Sequence, residues 1–217
     1  MKNTLKFNSQ FKVLDGELSN YSEDIIKNEP MFFRASYDFC QQHAGPITAE
    51  FLKALPQAWK TDTLCIDSRV HMLMPGWFPC IPGYHHDDVV RSRSDGQPNY
   101  HDTNNCQHIF ALINGHLAPT KFAIGQIELE EPQHGQIIYK HWHQNIVDAI
   151  NTGQLAEVSA PSNKLIEFDY QAFHTGTRAV ENGWRWFIRA TRYASYPPQN
   201  EIRRQVQVYL EFPTEGW

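Results

Sequence analysis

From residue 64 onward the chain is a succession of short β-rich runs, each closed by proline, glycine, asparagine or aspartate. That punctuation restricts the fold more than any other feature. The runs are LCIDSRVHMLM, HIFALING, TKFAIGQIEL, AEVSA, KLIEFDY, WRWFIRATRY and VQVYLEF. Many short strands separated by turn signals predict an all-β sandwich or barrel. One helix interrupts them. In YKHWHQNIVDAINTG (139–153), Trp142, Ile146, Val147 and Ile150 share a face, and Gly153 suits a helix C-terminus. The first third predicts helices instead. MFFRASYDFCQQHAG (31–45) puts Phe32, Ala35 and Phe39 at helical spacing and stops at Gly45. ITAEFLKALPQAW (47–59) has Thr48 as N-cap, Phe51, Leu52 and Leu55 on one face, and Pro56 to bend or end it. The expectation is mainly β: a jelly-roll barrel over 64–212 with a helical insertion near 139–153 and a helical flank over 1–63. No linker-like stretch or repeat divides the chain, so 1–217 reads as one domain.

A chain of 217 residues builds a core without disulfide or metal staples, so a metal site here would serve chemistry rather than folding. No apolar run approaches the roughly 20 residues that span a bilayer, and MKNTLKFNSQFKVLDG has no apolar signal segment. Neither feature points to a membrane. The net charge of −5 and the lack of any Lys/Arg run argue against nucleic acid and favour a small-molecule substrate. The four cysteines, Cys40, Cys65, Cys80 and Cys106, have no zinc-like spacing. They read as free thiols in a reducing, cytoplasmic setting.

Two segments carry chemistry. The first is PGWFPCIPGYHHDDVVRS (75–92). Residues i and i+2 of a strand point to the same face. His85 with Asp87 is therefore one convergent pair and His86 with Asp88 the other; both cannot face the interior. Two histidines and one carboxylate on one side of an octahedral ion leave the other side open, which suits iron(II) chemistry with a bidentate co-substrate and O2. The second is NKLIEFDYQAFHTGTRAVENGWRWFIRATRY (163–193). It supplies His174, then Arg185 and Arg189 on one strand face with Phe187 and Thr191. A buried guanidinium is costly without an anion, and its planar fork matches a carboxylate. The plainer alternative is that one or both arginines pair with protein carboxylates at the rim.

His-x-Asp, a long gap, a distal His and a later Arg together resemble the 2-oxoglutarate/iron(II) dioxygenase superfamily and its double-stranded β-helix, a cupin-like jelly roll. The resemblance covers about residues 65–195. It implies Fe(II) held by His85, Asp87 and His174, with 2-oxoglutarate and O2 as co-substrates. It also implies decarboxylation to succinate coupled to hydroxylation of a substrate C–H bond. Tyr84, an aromatic directly before His85, favours the His85/Asp87 register over His86/Asp88 and leaves Asp88 as a supporting or substrate-facing group. The tail Arg185-x-x-x-Arg189-Ala190-Thr191 is similar to the taurine dioxygenase branch. There the Arg of the R-A-T run grips the far carboxylate and the earlier Arg also reaches the co-substrate. In the phytanoyl-CoA dioxygenase and prolyl hydroxylase branches the single Arg lies nearer Arg185. Thr120, within NGHLAPTKFAIG, is similar to a threonine that assists the co-substrate.

Other polar groups have plainer readings. His141 and His143 are two apart on a helix and point away from each other, as surface residues do. The loop around His101-Asp102 is long enough to act as a lid. Trp77, Phe78, Tyr84, Phe173 and Trp184 read mostly as core. Two further readings remain: a cupin-type protein that binds a metal or anion without turnover, and a cupin-like enzyme using another divalent metal without 2-oxoglutarate.

Overall fold

The computed structural model describes residues 3–210. Its strands are β1 (Thr4–Ser9), β2 (Phe11–Glu17), β3 (Phe32–Phe33), β4 (Cys65–Leu73), β5 (Gln107–Ile113), β6 (Thr120–Glu130), β7 (Ala156–Ser159), β8 (Lys164–Asp169), β9 (His174–Gly176), β10 (Gly183–Arg192) and β11 (Glu201–Ile202). The helices are α1 (Glu23–Asn28), α2 (Tyr37–His43), α3 (Pro46–Ala54) and α4 (Ile138–Asn151). One sheet runs β2-β8-β5-β10-β4. A second runs β1-β6-β7, with β9 also paired to β6, and β11 pairs β3 apart from both. Every pairing is antiparallel. Among the described residues the ladders do not close into a barrel.

Period-2 alternation decides what each sheet face meets. On the larger sheet Ile66, Val70, Ile109, Ala111, Ile113, Leu165, Trp186, Ile188 and Ala190 face outward and pack with Ile26, Ile47, Phe51 and Leu52 of α1 and α3. The opposite face carries Phe110, Leu112, Ile166 and Phe168, which meet Phe122 of β6. Ala123, Ile127 and Leu129 of β6 turn the other way, onto Ile138, Trp142 and Ile146 of α4. Helices thus cover the outer faces, and the inner space between the sheets is left for the site. Along β4 and β10 that inner face is polar: His71 pairs with Arg185, Arg69 with Phe187 and Asp67 with Arg189 in register.

The N-terminal flank departs from its helical expectation. β1 and β2 add a strand to each sheet, because Leu5, Phe7 and Phe11 follow a two-residue period that places them against the cores. The helix expected over 31–45 is shorter. Met31–Phe33 stays extended, Arg34 takes a left-handed φ of 45°, and Ser36 caps α2 by accepting from the Phe39 amide at 3.3 Å. α3 is capped by Gly45 with Pro46 in its first turn, rather than by Thr48. The insertion helix forms as α4, with Gly153 at φ 79° beyond its end. The run VQVYLEF forms only a bridge between Tyr209 and Phe78, and its last two residues lie outside the described ones. No helix among the described residues is long and apolar enough to cross a membrane.

Candidate metal centre

The segment before His85 reaches the inner face by a close approach at β9. A Cβ added to Gly176 would lie 2.3 Å from Cys80 Sγ, so glycine there leaves room for the Cys80 side chain. His85 then bridges His174: each amide donates to the other's carbonyl, at 3.0 and 3.1 Å. That bridge sets the two imidazoles side by side, ring centres 4.7 Å apart. Two residues on, Asp87 comes to the same place. One ligand atom from each of His85, Asp87 and His174 lies within 4.8 Å of the other two.

The protonation pattern suits coordination. Nδ1 of His85 donates to the Gly83 carbonyl at 2.7 Å, and Nδ1 of His174 to the Ala172 carbonyl at 2.9 Å. A carbonyl only accepts, so each Nδ1 carries a proton and Nε2 is the nitrogen left for a metal; that of His174 lies 3.2 Å from Asp87 Oδ2. Burial, helped by the neighbouring His174, lowers the His85 pKa to about 4. Burial alone would raise that of Asp87, yet Arg189 and His174 together hold it well below the usual carboxylate value. At neutral pH the cluster therefore offers a neutral imidazole at His85 and an ionised carboxylate.

His86 turns the other way. Its ring lies 3.7 Å from the Phe173 ring centre, and its Nδ1 meets the Tyr100 hydroxyl at 2.7 Å. Asp88 does not follow the strict alternation expected of a strand. Its φ of 52° bends the chain, so its carboxylate meets Arg189 at 3.0 Å while Asp87 pairs with the other terminal nitrogen. Thr191 lies 3.5 Å from Asp88 and 3.0 Å from His108 Nδ1, extending the polar row behind Arg189.

Arg185 and Arg189 share the inner face with Phe187 but differ in partners. Arg189 is committed to Asp87 and Asp88. Arg185 is 3% exposed and donates to Thr120 Oγ1 at 3.1 Å; its Nε has no partner and no carboxylate meets it among the described residues. Burial lowers its pKa to about 10, with Arg69 nearby adding to the fall. The cavity in front of these groups has a volume of about 570 Å³, within the range of small-molecule sites.

Several lining groups escape the motif reading. Arg69 and His71 belong to the β4 alternation Asp67-x-Arg69-x-His71, whose outward partners are apolar or small, and this polar stripe was the available signal. His143 is not a surface residue. Half-buried, it accepts from the Tyr84 amide at 3.2 Å and stacks on that ring, bracing the residue before His85. Cys80 lines the cavity, and all four cysteines are free. The loop near His101 is pinned: His101 meets Glu131 at 2.9 Å, and Gln97 accepts from the Ile138 amide at 3.0 Å. Of its N-terminal approach, Val89 and Arg91 reach the cavity. Phe78, Tyr84 and Phe173 are buried, while Trp77 and Trp184 are half-buried.

The chain matches no family profile and no curated protein. Among solved structures it is similar to an N-substituted L-amino acid dioxygenase from Burkholderia ambifaria AMMD, at 14% identity and a TM-score of 0.34. The match covers 57% of this chain and 47% of that one, so the chain spans under half the length of that protein. Apo HygX from Streptomyces hygroscopicus aligns at 10% identity and a TM-score of 0.41, covering 88% of this chain and 83% of its own. HygX with iron bound gives the same identity and coverage and a TM-score of 0.37.

Proposed function

We propose that the chain is an Fe(II)/2-oxoglutarate-dependent dioxygenase that hydroxylates a C–H bond of a small molecule, on a jelly-roll scaffold. The observation that carries this reading is the cluster of His85, Asp87 and His174, with both Nδ1 protons committed to backbone carbonyls. Two histidines and a carboxylate with coordination positions left over suit iron(II). Bound there, the metal would supply oxygen activation coupled to oxidative decarboxylation of 2-oxoglutarate.

The protein's own part is to bind and orient. Arg185 is the better clamp for the far carboxylate of 2-oxoglutarate, in place of the Arg189 that the R-A-T resemblance implies. Its guanidinium is buried and lacks a counter-ion, whereas Arg189 already holds two. Thr120, fixed on Arg185, would donate its hydroxyl proton to the same carboxylate. Arg189, itself held by Asp88, orients Asp87 and keeps it ionised, as supporting partners of metal ligands do. Phe110, Phe168 and Phe187 line the cavity and exclude water.

A non-catalytic cupin-like binding protein is the second reading. The buried Arg185, which meets no carboxylate among the described residues, favours it, because such a group can hold an anion whether or not chemistry follows. Fe(II)-dependent release of succinate from 2-oxoglutarate separates the two. The first reading expects release that stops on chelation or in His174→Ala; metal and anion binding without any succinate supports the second.

A further inference from the structure

The cavity has more positive charge than one co-substrate neutralises. Five arginines line it, Arg34, Arg69, Arg91, Arg185 and Arg189, against three carboxylates, Asp67, Asp87 and Asp88. Asp87 and Asp88 are taken by Arg189. Asp67 pairs with Arg203, which lies outside the lining, at 3.1 Å. Arg34 lies over the Tyr196 ring at 4.0 Å, and Arg91, at the exposed mouth, donates to the Gly96 carbonyl. Arg185 and Arg69 remain, neither meeting a carboxylate among the described residues. The excess is local, because the whole chain carries −5. It is not general attraction of anions to a basic protein.

Arg69 differs from Arg185 in position. It sits on β4, the outermost strand of its sheet, in register with Phe187, and Phe187 separates Arg185 from Arg189 along the neighbouring strand. It is half-buried and sits diagonally across the ladder from Arg185, on the same face, with His71 as the register partner of Arg185. Like charges brought this close in a partly desolvated site are unfavourable unless an anion joins them. A short dicarboxylate placed between the metal centre and Arg185 satisfies Arg185 and fills only part of the 570 Å³. Arg69 and the rest of the space are then left over.

We propose that Arg69 is a specificity residue that binds a carboxylate of the substrate, so that this site takes an anionic small molecule beside its co-substrate. The inference rests on the dioxygenase reading, in which Arg185 is occupied by 2-oxoglutarate. A two-pronged guanidinium contact would fix one end of the substrate and leave its other end toward His85 and His174.

The test uses full-length protein loaded with Zn(II), a redox-inert stand-in, and saturated with 2-oxoglutarate. Acetate is titrated against it, with acetamide as the uncharged control, and the arginine Nε–H resonances are followed by NMR. The expected result is a saturable shift of the Arg69 resonance with acetate and none with acetamide. Arg69→Gln should weaken acetate binding at least about tenfold while holding 2-oxoglutarate affinity within about twofold. Arg69→Lys should restore part of the acetate affinity, since the charge returns without the fork. No Arg69 shift with acetate on the 2-oxoglutarate-saturated protein, or a large loss of 2-oxoglutarate affinity in Arg69→Gln, would overturn the proposal. Equal response to acetamide would overturn it as well. Failure of the metal-loaded wild type to bind 2-oxoglutarate has its own signature and would remove the dioxygenase reading beneath it.

Discussion

Arg185→Met separates a binding role from a structural one, because the two predict opposite signs for stability. In the free protein Arg185 is 3% exposed, and burial brings its pKa from 12.5 to about 10. At ~1.4 kcal/mol per unit, keeping it charged there costs about 3 kcal/mol. Methionine fills most of the same stem volume without the charge, and the lost hydrogen bond to Thr120 takes back about 1 kcal/mol. The ligand-free variant should therefore gain about 1–2 kcal/mol, a rise of roughly 2–8 °C in melting temperature for a chain of this size. Affinity for 2-oxoglutarate should fall by about 2–5 kcal/mol, the range for stripping one partner from a buried charge pair. Differential scanning calorimetry and isothermal titration on Mn(II)-loaded protein give the two numbers. A variant that is less stable when free and unchanged in 2-oxoglutarate affinity would refute the reasoning and make Arg185 a structural residue.

Other changes follow from the same geometry. Asp87→Asn should abolish or severely weaken metal binding, whereas Asp88→Asn should retain the metal with affinity reduced about 10–100-fold, both read by metal titration; the reverse order would move the ligand to Asp88. Arg189→Ala leaves two neighbouring carboxylates without their cation. It should cost about 3–5 kcal/mol of stability by denaturant unfolding while changing 2-oxoglutarate affinity less than Arg185→Met does. His71 is buried between the sheets, and desolvation, with Arg185 nearby, lowers its pKa from 6.5 to about 3. Between those values the unfolded chain binds a proton that the folded chain does not, so stability falls as pH drops below about 6.5. At pH 5 this residue alone accounts for about 2 kcal/mol, and His71→Asn should flatten the dependence of metal-free melting temperature on pH.

The strands were readable because their runs are short, β-branched and bounded by turn residues; β4, β5, β6, β7, β8 and β10 all fall on them. β1 and β2 were missed because KFNSQFKV offers few apolar positions, and its pairing partners, β6 and β8, lie more than a hundred residues away. The HHDD register could be narrowed to two choices by strand period alone. The backbone breaks that period at Asp88, where a left-handed φ turns its carboxylate toward the same arginine that holds Asp87. Period 2 does place Arg185 and Arg189 on one face. It carries no information on partners, and the difference between them is made by Asp87 and Asp88, roughly a hundred residues earlier in the chain. His143 illustrates the same limit from a helix: spacing within α4 gives its direction, but only packing shows that it meets Tyr84.

The central claim is that His85, Asp87 and His174 form an iron site that consumes 2-oxoglutarate. The most direct measurement is succinate formed per Fe(II) added to metal-free protein supplied with 2-oxoglutarate and oxygen, in the wild type and in His174→Ala. The account predicts release that rises with iron and levels off at one Fe(II) per chain, and none from His174→Ala even though that variant folds. Equal release from the two proteins, or iron bound at full stoichiometry by His174→Ala, would contradict it.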